Sequence, residues 1–160
     1  MNNNDILRRI RFIFDFNDTK MMELFTLGGE EASRAEISDW LKKDEDPDFK
    51  GIYDKQLAVF LSGLIIKKRG KKDGIQPPPE KKLNNNIVFR KLKIALNLKD
   101  TDILEILELA EMRISKHELS AFFRNPDQSQ FRPCKDQVLR NFLQGLQIKL
   151  KRIPENSENP

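Results

Sequence analysis

The chain of 160 residues holds one cysteine, one histidine, one tryptophan and one tyrosine. A lone Cys134 excludes an internal disulfide and any zinc site built from several cysteines. A lone His117 excludes a cage of two or more histidines. No apolar run approaches the roughly 20 residues of a membrane-spanning helix. The opening Met1-Asn2-Asn3-Asn4-Asp5 is polar and acidic where a secretory signal would be basic. No phosphate-cradling glycine loop and no Gly-x-Ser-x-Gly elbow is present, and Asp44-Glu45-Asp46 lacks the spacing of a calcium loop. No cofactor fingerprint emerges. These absences point to a non-enzymatic protein of a reducing compartment, the cytoplasm, with no membrane partner.

What is present is a repeat. Displaced by 82 positions, residues 2–68 fall on residues 84–150 without a gap, and 20 of the 67 pairs are identical. Identities include the Asn2-Asn3-Asn4 and Asn84-Asn85-Asn86 triplets, Ser33/Ser115, Glu36/Glu118, Asp54/Asp136, Phe60/Phe142 and Gly63/Gly145. A fixed-period self-match defines the fold problem before any local reading, and two copies make a pair of modules, not a solenoid. The repeat places a first helical module at 1–69, a basic Pro/Gly linker at 70–83, a second helical module at 84–152 and a disordered tail at 153–160.

Each copy reads as four helices. The first follows the Asn triplet, where Asn4 or a neighbour caps it, and carries Ile6, Leu7, Ile10 and Ile13 on one face, matched by Val88, Phe89 and Leu92. The second begins near Asp18 and Asp100, acidic residues that suit a helix start. Gly28-Gly29 ends it in copy one, whereas Ala110-Glu111 must turn the chain without glycine in copy two. The third opens with a Ser-x-x-Glu capping box in both copies, Ser33 to Glu36 and Ser115 to Glu118. Its inward stripe is Ile37, Trp40 and Leu41, or Leu119, Phe122 and Phe123. The fourth carries Leu57, Phe60, Leu61 and Leu64 at helical spacing, and Leu139, Phe142, Leu143 and Leu146 likewise. The fold class is all-α: two tandem homologous four-helix modules, helix-turn-helix-like. A lone module of about 67 residues is marginal by surface-to-volume scaling, so the copies are expected to dock about a pseudo-two-fold axis.

The second and third helices resemble the repressor-type helix-turn-helix, in which a Ser opens the recognition helix and apolar residues follow at the spacing of Ser33, Ile37 and Trp40, or Ser115, Leu119 and Phe122. The resemblance implies groove-facing residues Arg34, Ala35 and Ser38 in one copy and Lys116, His117 and Ser120 in the other. It departs at Leu27 and Leu109, where that family has a small residue, and at Glu31 and Arg113, where it has glycine. Charge separates the copies: residues 1–68 carry net −2, the 69–83 stretch +3 and residues 84–160 +3. A phosphate backbone needs a concentrated positive face. Candidate nucleic-acid contacts are therefore Lys116, His117, Ser120 and Arg124 with Lys68, Arg69, Lys71 and Lys72. The same cations also read as a solvated helix end and linker, and the aromatics as core.

Across nearly the whole chain the Asn triplets, Asn97-Leu98-Lys99-Asp100, the stretch from Ile114 to Arg124, the Pro-rich linker and Phe142-Leu143-Gln144-Gly145-Leu146 resemble the YehS-like bacterial proteins. That resemblance implies a duplicated helical protein of the bacterial cytoplasm and assigns no activity. Two functions follow as expectations: a binding module that docks a protein partner or itself, and a DNA-binding regulator.

Overall fold

The computed structural model describes residues 1–71, 73–74 and 76–151. Lys72 and the expected tail at 153–160 lie outside the described residues. The described chain forms α1 (Asn3–Phe14), α2 (Asp18–Gly28), α3 (Arg34–Leu41), α4 (Asp54–Arg69), α5 (Asn85–Ala95), α6 (Asp100–Leu109), α7 (Lys116–Ala121) and α8 (Asp136–Lys151). Among the described residues there is no strand. The protein is all-α, and α5–α8 repeat α1–α4.

Local chemistry sets the boundaries. The cap of α1 is Asn2, not Asn4: its side-chain oxygen accepts from the Asp5 N–H at 2.8 Å, and the Asp5 carboxylate accepts from the Asn2 N–H at 3.0 Å. Asn84 caps α5 through the Ile87 N–H at 2.9 Å. Both Ser-x-x-Glu boxes close reciprocally, at 3.1 and 2.9 Å around Ser33 and 3.0 and 2.8 Å around Ser115. After α2, Gly29 takes the left-handed conformation (φ 109°), and its counterpart Glu111 adopts it too (φ 61°). Copy two thus makes the glycine turn with a glutamate, at a steric cost glycine avoids. The inward stripe of α7 is shorter than expected: Leu119 is buried, but the helix ends at Ala121, leaving Phe122 and Phe123 half-buried just beyond it.

Glycine decides how closely the helices cross. A Cβ on Gly63 would lie 1.7 Å from the Leu24 carbonyl oxygen, and one on Gly145 2.0 Å from that of Ile106. These two identical positions let α4 press on α2 and α8 on α6, backbone against backbone. Gly28 adds a second such approach in copy one, 1.9 Å from the Val59 carbonyl oxygen, where copy two has Ala110.

The core aromatics are exchanged between copies. In module one, Phe25 of α2 packs against Phe60 at 5.2 Å and Trp40 at 5.5 Å between ring centres. In module two the equivalent of Phe25 is Leu107, and the large ring is Phe89 of α5, packed on Phe142 at 4.6 Å and Phe123 at 5.0 Å. The counterpart of Phe89 is Leu7, so a Leu/Phe pair has traded places; all four side chains are buried.

The modules dock through α1 against α8 and α4 against α5, within one continuous apolar core. Each seam is parallel. Along the first, the Met1 amino group meets Asp136 (3.1 Å), Arg9 donates to Gln144 (2.7 Å) and Lys151 covers the Phe12 ring. Along the second, the Leu83 N–H meets Asp54 (2.9 Å) and Lys91 donates to Ser62 (3.1 Å). Adding or subtracting 82 converts the first two contacts of one seam into those of the other, the signature of a pseudo-two-fold axis. All four helices run the same way along it. Their N-termini gather at one pole and their C-termini at the other.

Candidate functional site

The repeated polar residues are the natural first candidates, and the structure shows how each is used. Asn4 is buried, 2% exposed. Its amide donates to the carbonyl oxygens of Trp40 (2.9 Å) and Lys50 (2.8 Å), and its oxygen accepts from the Ile52 N–H (3.2 Å). Asn86 repeats the clamp on Phe122, Arg132 and Cys134, each at 2.9 Å. Asn3 donates to the Ile52 carbonyl and to Asp54; Asn85 donates to the Cys134 carbonyl and to Asp136. One residue of each triplet therefore caps a helix, and the next two tie the loop before the fourth helix to the start of the first. The capping expected from the sequence is carried out by Asn2 and Asn84; the partners of the other two residues of each triplet lie 36 to 51 residues away.

These bonds hold two carboxylates ionised. The Asn3 amide and the Leu83 N–H keep Asp54 below the ordinary carboxylate range. Asn85 and the terminal ammonium do the same for Asp136. Cys134 is buried, and desolvation pushes its thiol up to about 12, so it carries no thiolate near neutrality.

The expected nucleic-acid contacts fall into two groups. Lys68 and Arg69 end α4 and Lys71 follows, all exposed at the pole of helix C-termini. Lys116 and His117 are the exposed first residues of α7. Ser120 is half-buried and donates to the His117 carbonyl at 3.1 Å. Arg124 is half-buried beyond Phe123. In copy one Arg34, Ala35 and Ser38 are exposed, and Arg34 lies 3.7 Å from Asp18. Among the described residues no hydrogen bond or ion pair joins the α7 group to the end of α4.

The pole itself holds residues that sequence reading missed. Lys149 and Lys151 end α8 beside the end of α1. Phe12, Ile94 and Leu150 are exposed there, although large and apolar. Phe12 and Ile94 are equivalent positions of the repeat, each off the inward stripe of its helix; that repeated apolar residue on a polar face was the available signal. Two open depressions are also present: one beside Trp40 is lined by Glu36, Asp39, Lys50 and Tyr53, and another by Glu105, Glu108 and Leu109 of α6 with Lys149 from the end of α8. Among the described residues no three His, Cys, Asp or Glu side chains converge as metal ligands, and no helix is long and apolar enough to cross a membrane.

Duplicated capping boxes, paired Asn clamps and parallel seams define a class of protein: a tandem pair of four-helix modules fused about a pseudo-two-fold axis. The profile of a protein family of unknown function (DUF1456) matches residues 3–70 and again 85–152, the two modules found in the repeat, and the chain belongs to that family. It is 44% identical over 147 residues to the uncharacterized protein YehS of Escherichia coli (strain K12), covering 91% of this chain and 94% of that one. No solved structure matches it significantly.

Proposed function

We propose that the protein is a non-enzymatic binding module of the bacterial cytoplasm that docks a protein partner or a second copy of itself. The observation that carries this reading is where the repeated polar chemistry goes. Asn3, Asn4, Asp54 and their counterparts are occupied by contacts within the chain, and the one thiol is buried and protonated. What faces solvent is helical surface of mixed charge with half-exposed apolar side chains, which is the material of recognition. Affinity capture from native cells, with sedimentation of the purified chain, tests it. The expected result is a stoichiometric partner or a defined oligomer; a strictly monomeric chain with no recoverable partner overturns it.

A second reading, a DNA-binding regulator, is favoured by one observation: Lys67, Lys68, Arg69 and Lys71 crowd the end of α4. Such a cluster neutralises phosphates and releases counterions, so binding to random duplex is strongest at low salt. A salt titration checks it, and no affinity at about 50 mM salt removes it.

A further inference from the structure

The pole of helix C-termini combines two features that a structural role alone does not join. Lysines at the ends of α4 and α8 have a local reason, since they face the partial negative charge of the helix C-termini. Lys67 has a further one, an ion pair with Glu23 at 2.9 Å. Local stability does not explain why large apolar residues sit exposed among them. Phe12 is 51% exposed, Ile94 45% and Leu150 47%, three of the five large apolar side chains the described residues leave in solvent. The Lys151 ammonium lies 4.4 Å from the Phe12 ring centre, and that of Lys68 5.2 Å from the Phe14 ring centre. Each aromatic thus has a cation on its face, positioned to pair with an incoming carboxylate while the ring is covered.

Resting on the binding-module reading, we infer that this pole docks an acidic amphipathic segment of a partner protein. Charge complementarity selects the sign: Lys68 and Arg69 end α4, Lys71 follows, and Lys151 ends α8, so both modules bring cations to this pole and a carboxylate-bearing partner is favoured there. The apolar residues select the class. A phosphate backbone offers nothing to cover Phe12, Ile94 and Leu150, whereas an acidic helix brings a carboxylate face and an apolar stripe together. The pseudo-two-fold relates Phe12 to Ile94, so each module presents an exposed apolar residue in the last turn of its first helix.

The test uses the full chain and a labelled synthetic peptide with Glu and Leu at helical spacing, beside an all-Glu peptide of equal charge, a random DNA duplex and phosphatidylglycerol vesicles. Fluorescence anisotropy and vesicle sedimentation report binding, and backbone NMR shifts report the location. The expected result is preference for the amphipathic peptide, with shifts confined to the last turns of α1, α4, α5 and α8. Lys68→Glu with Lys151→Glu weakens it by on the order of tenfold or more, as loss of facing charge does. Phe12→Ser with Ile94→Ser weakens the amphipathic peptide but not the all-Glu one. Phe12, Lys68 and Ile94 are exposed and Lys151 is half-buried, and circular dichroism verifies that each variant folds. Equal affinity for the all-Glu peptide, tighter binding to duplex or vesicles, peptide-independent self-association through this pole, absence of peptide binding, or shifts elsewhere each overturns the inference. A native partner still captured by the Lys68→Glu, Lys151→Glu chain overturns the pole alone and leaves the binding-module reading standing; no partner for either chain removes both.

Discussion

Asp54 and Asp136 hold reciprocal positions. Asp54 of module one accepts from the backbone of Leu83, which leads into module two, at 2.9 Å; Asp136 of module two accepts from the amino group of Met1, which leads into module one, at 3.1 Å. Each carboxylate also takes the amide of its own module's asparagine, Asn3 or Asn85. The start of every fourth helix is thus bonded to both modules at once.

This arrangement sets an acid limit on stability. Both carboxylates bind protons less readily folded than unfolded, mainly because the asparagine amides stabilise the charged form. Their contribution is therefore complete above the unfolded carboxylate range, about 3.9 for Asp, and is lost as pH falls through the lower folded-state values. The thermal midpoint, followed by circular dichroism, should be level from about pH 7 to about 5 and fall below about 4. Asp54→Asn with Asp136→Asn should flatten that acid decline; an unchanged slope would show that other carboxylates govern it.

Asn4 and Asn86 should not be equivalent in cost. Asn4→Ala strands two carbonyls and an N–H in a buried site, and a loss of about 2–4 kcal/mol in denaturant unfolding is expected. Asn86 makes the same three bonds but is only half-buried, so water replaces part of what Asn86→Ala removes and the loss should be smaller. Equal losses would contradict the burial argument.

Gly28 carries a prediction the repeat would misjudge. Copy two places Ala110 at the equivalent position, which makes Gly28→Ala look harmless. In copy one a Cβ would stand 1.9 Å from the Val59 carbonyl oxygen, a backbone atom that cannot step aside. The expected destabilisation is about 3 kcal/mol, at the upper end of overpacking costs. Urea midpoints of this variant would check it, and a neutral result would mean that α2 and α4 separate freely.

The exchanged Leu/Phe pair should be coupled. Leu7→Phe overpacks module one, and Phe25→Leu hollows it. Together they reproduce the pattern of Phe89 and Leu107, so the double variant should recover at least about 1 kcal/mol relative to the sum of the singles. A double-mutant cycle in denaturant measures it directly; simple additivity would mean the two sites do not share space.

Much of this was legible without coordinates, and the reason is locality. The boxes at Ser33 and Ser115 involve residues three apart, so their sequence pattern is their structure. The start of α4 at Asp54 and the stripe from Leu57 to Leu64 followed from helical spacing in the same way. The Asn triplets were visible as a repeat, but their roles were not: Asn2 caps locally, while Asn3 and Asn4 reach across more than 30 residues to backbone groups that no pattern marks. Ala110-Glu111 was legible as a turn without glycine, but the left-handed conformation of Glu111 was not, because a glutamate gives no sign that it will take the place of Gly29. The basic pole was half-read. Lys68, Arg69 and Lys71 are consecutive enough to notice, but Lys151 reaches the same pole only because α8 runs alongside α1, and that parallel seam is a tertiary fact.

Joining both halves in one polypeptide frees them from each other. In a dimer of identical subunits every substitution is made twice, so both ends of a binding face must evolve in step. Here Lys68 and Leu150 occupy twin positions with opposite characters, and the acidic run Asp44–Asp48 has no acidic twin beyond Asp127. A lopsided surface on a symmetric frame can seat an asymmetric ligand in a single orientation, which a true two-fold dimer could not enforce.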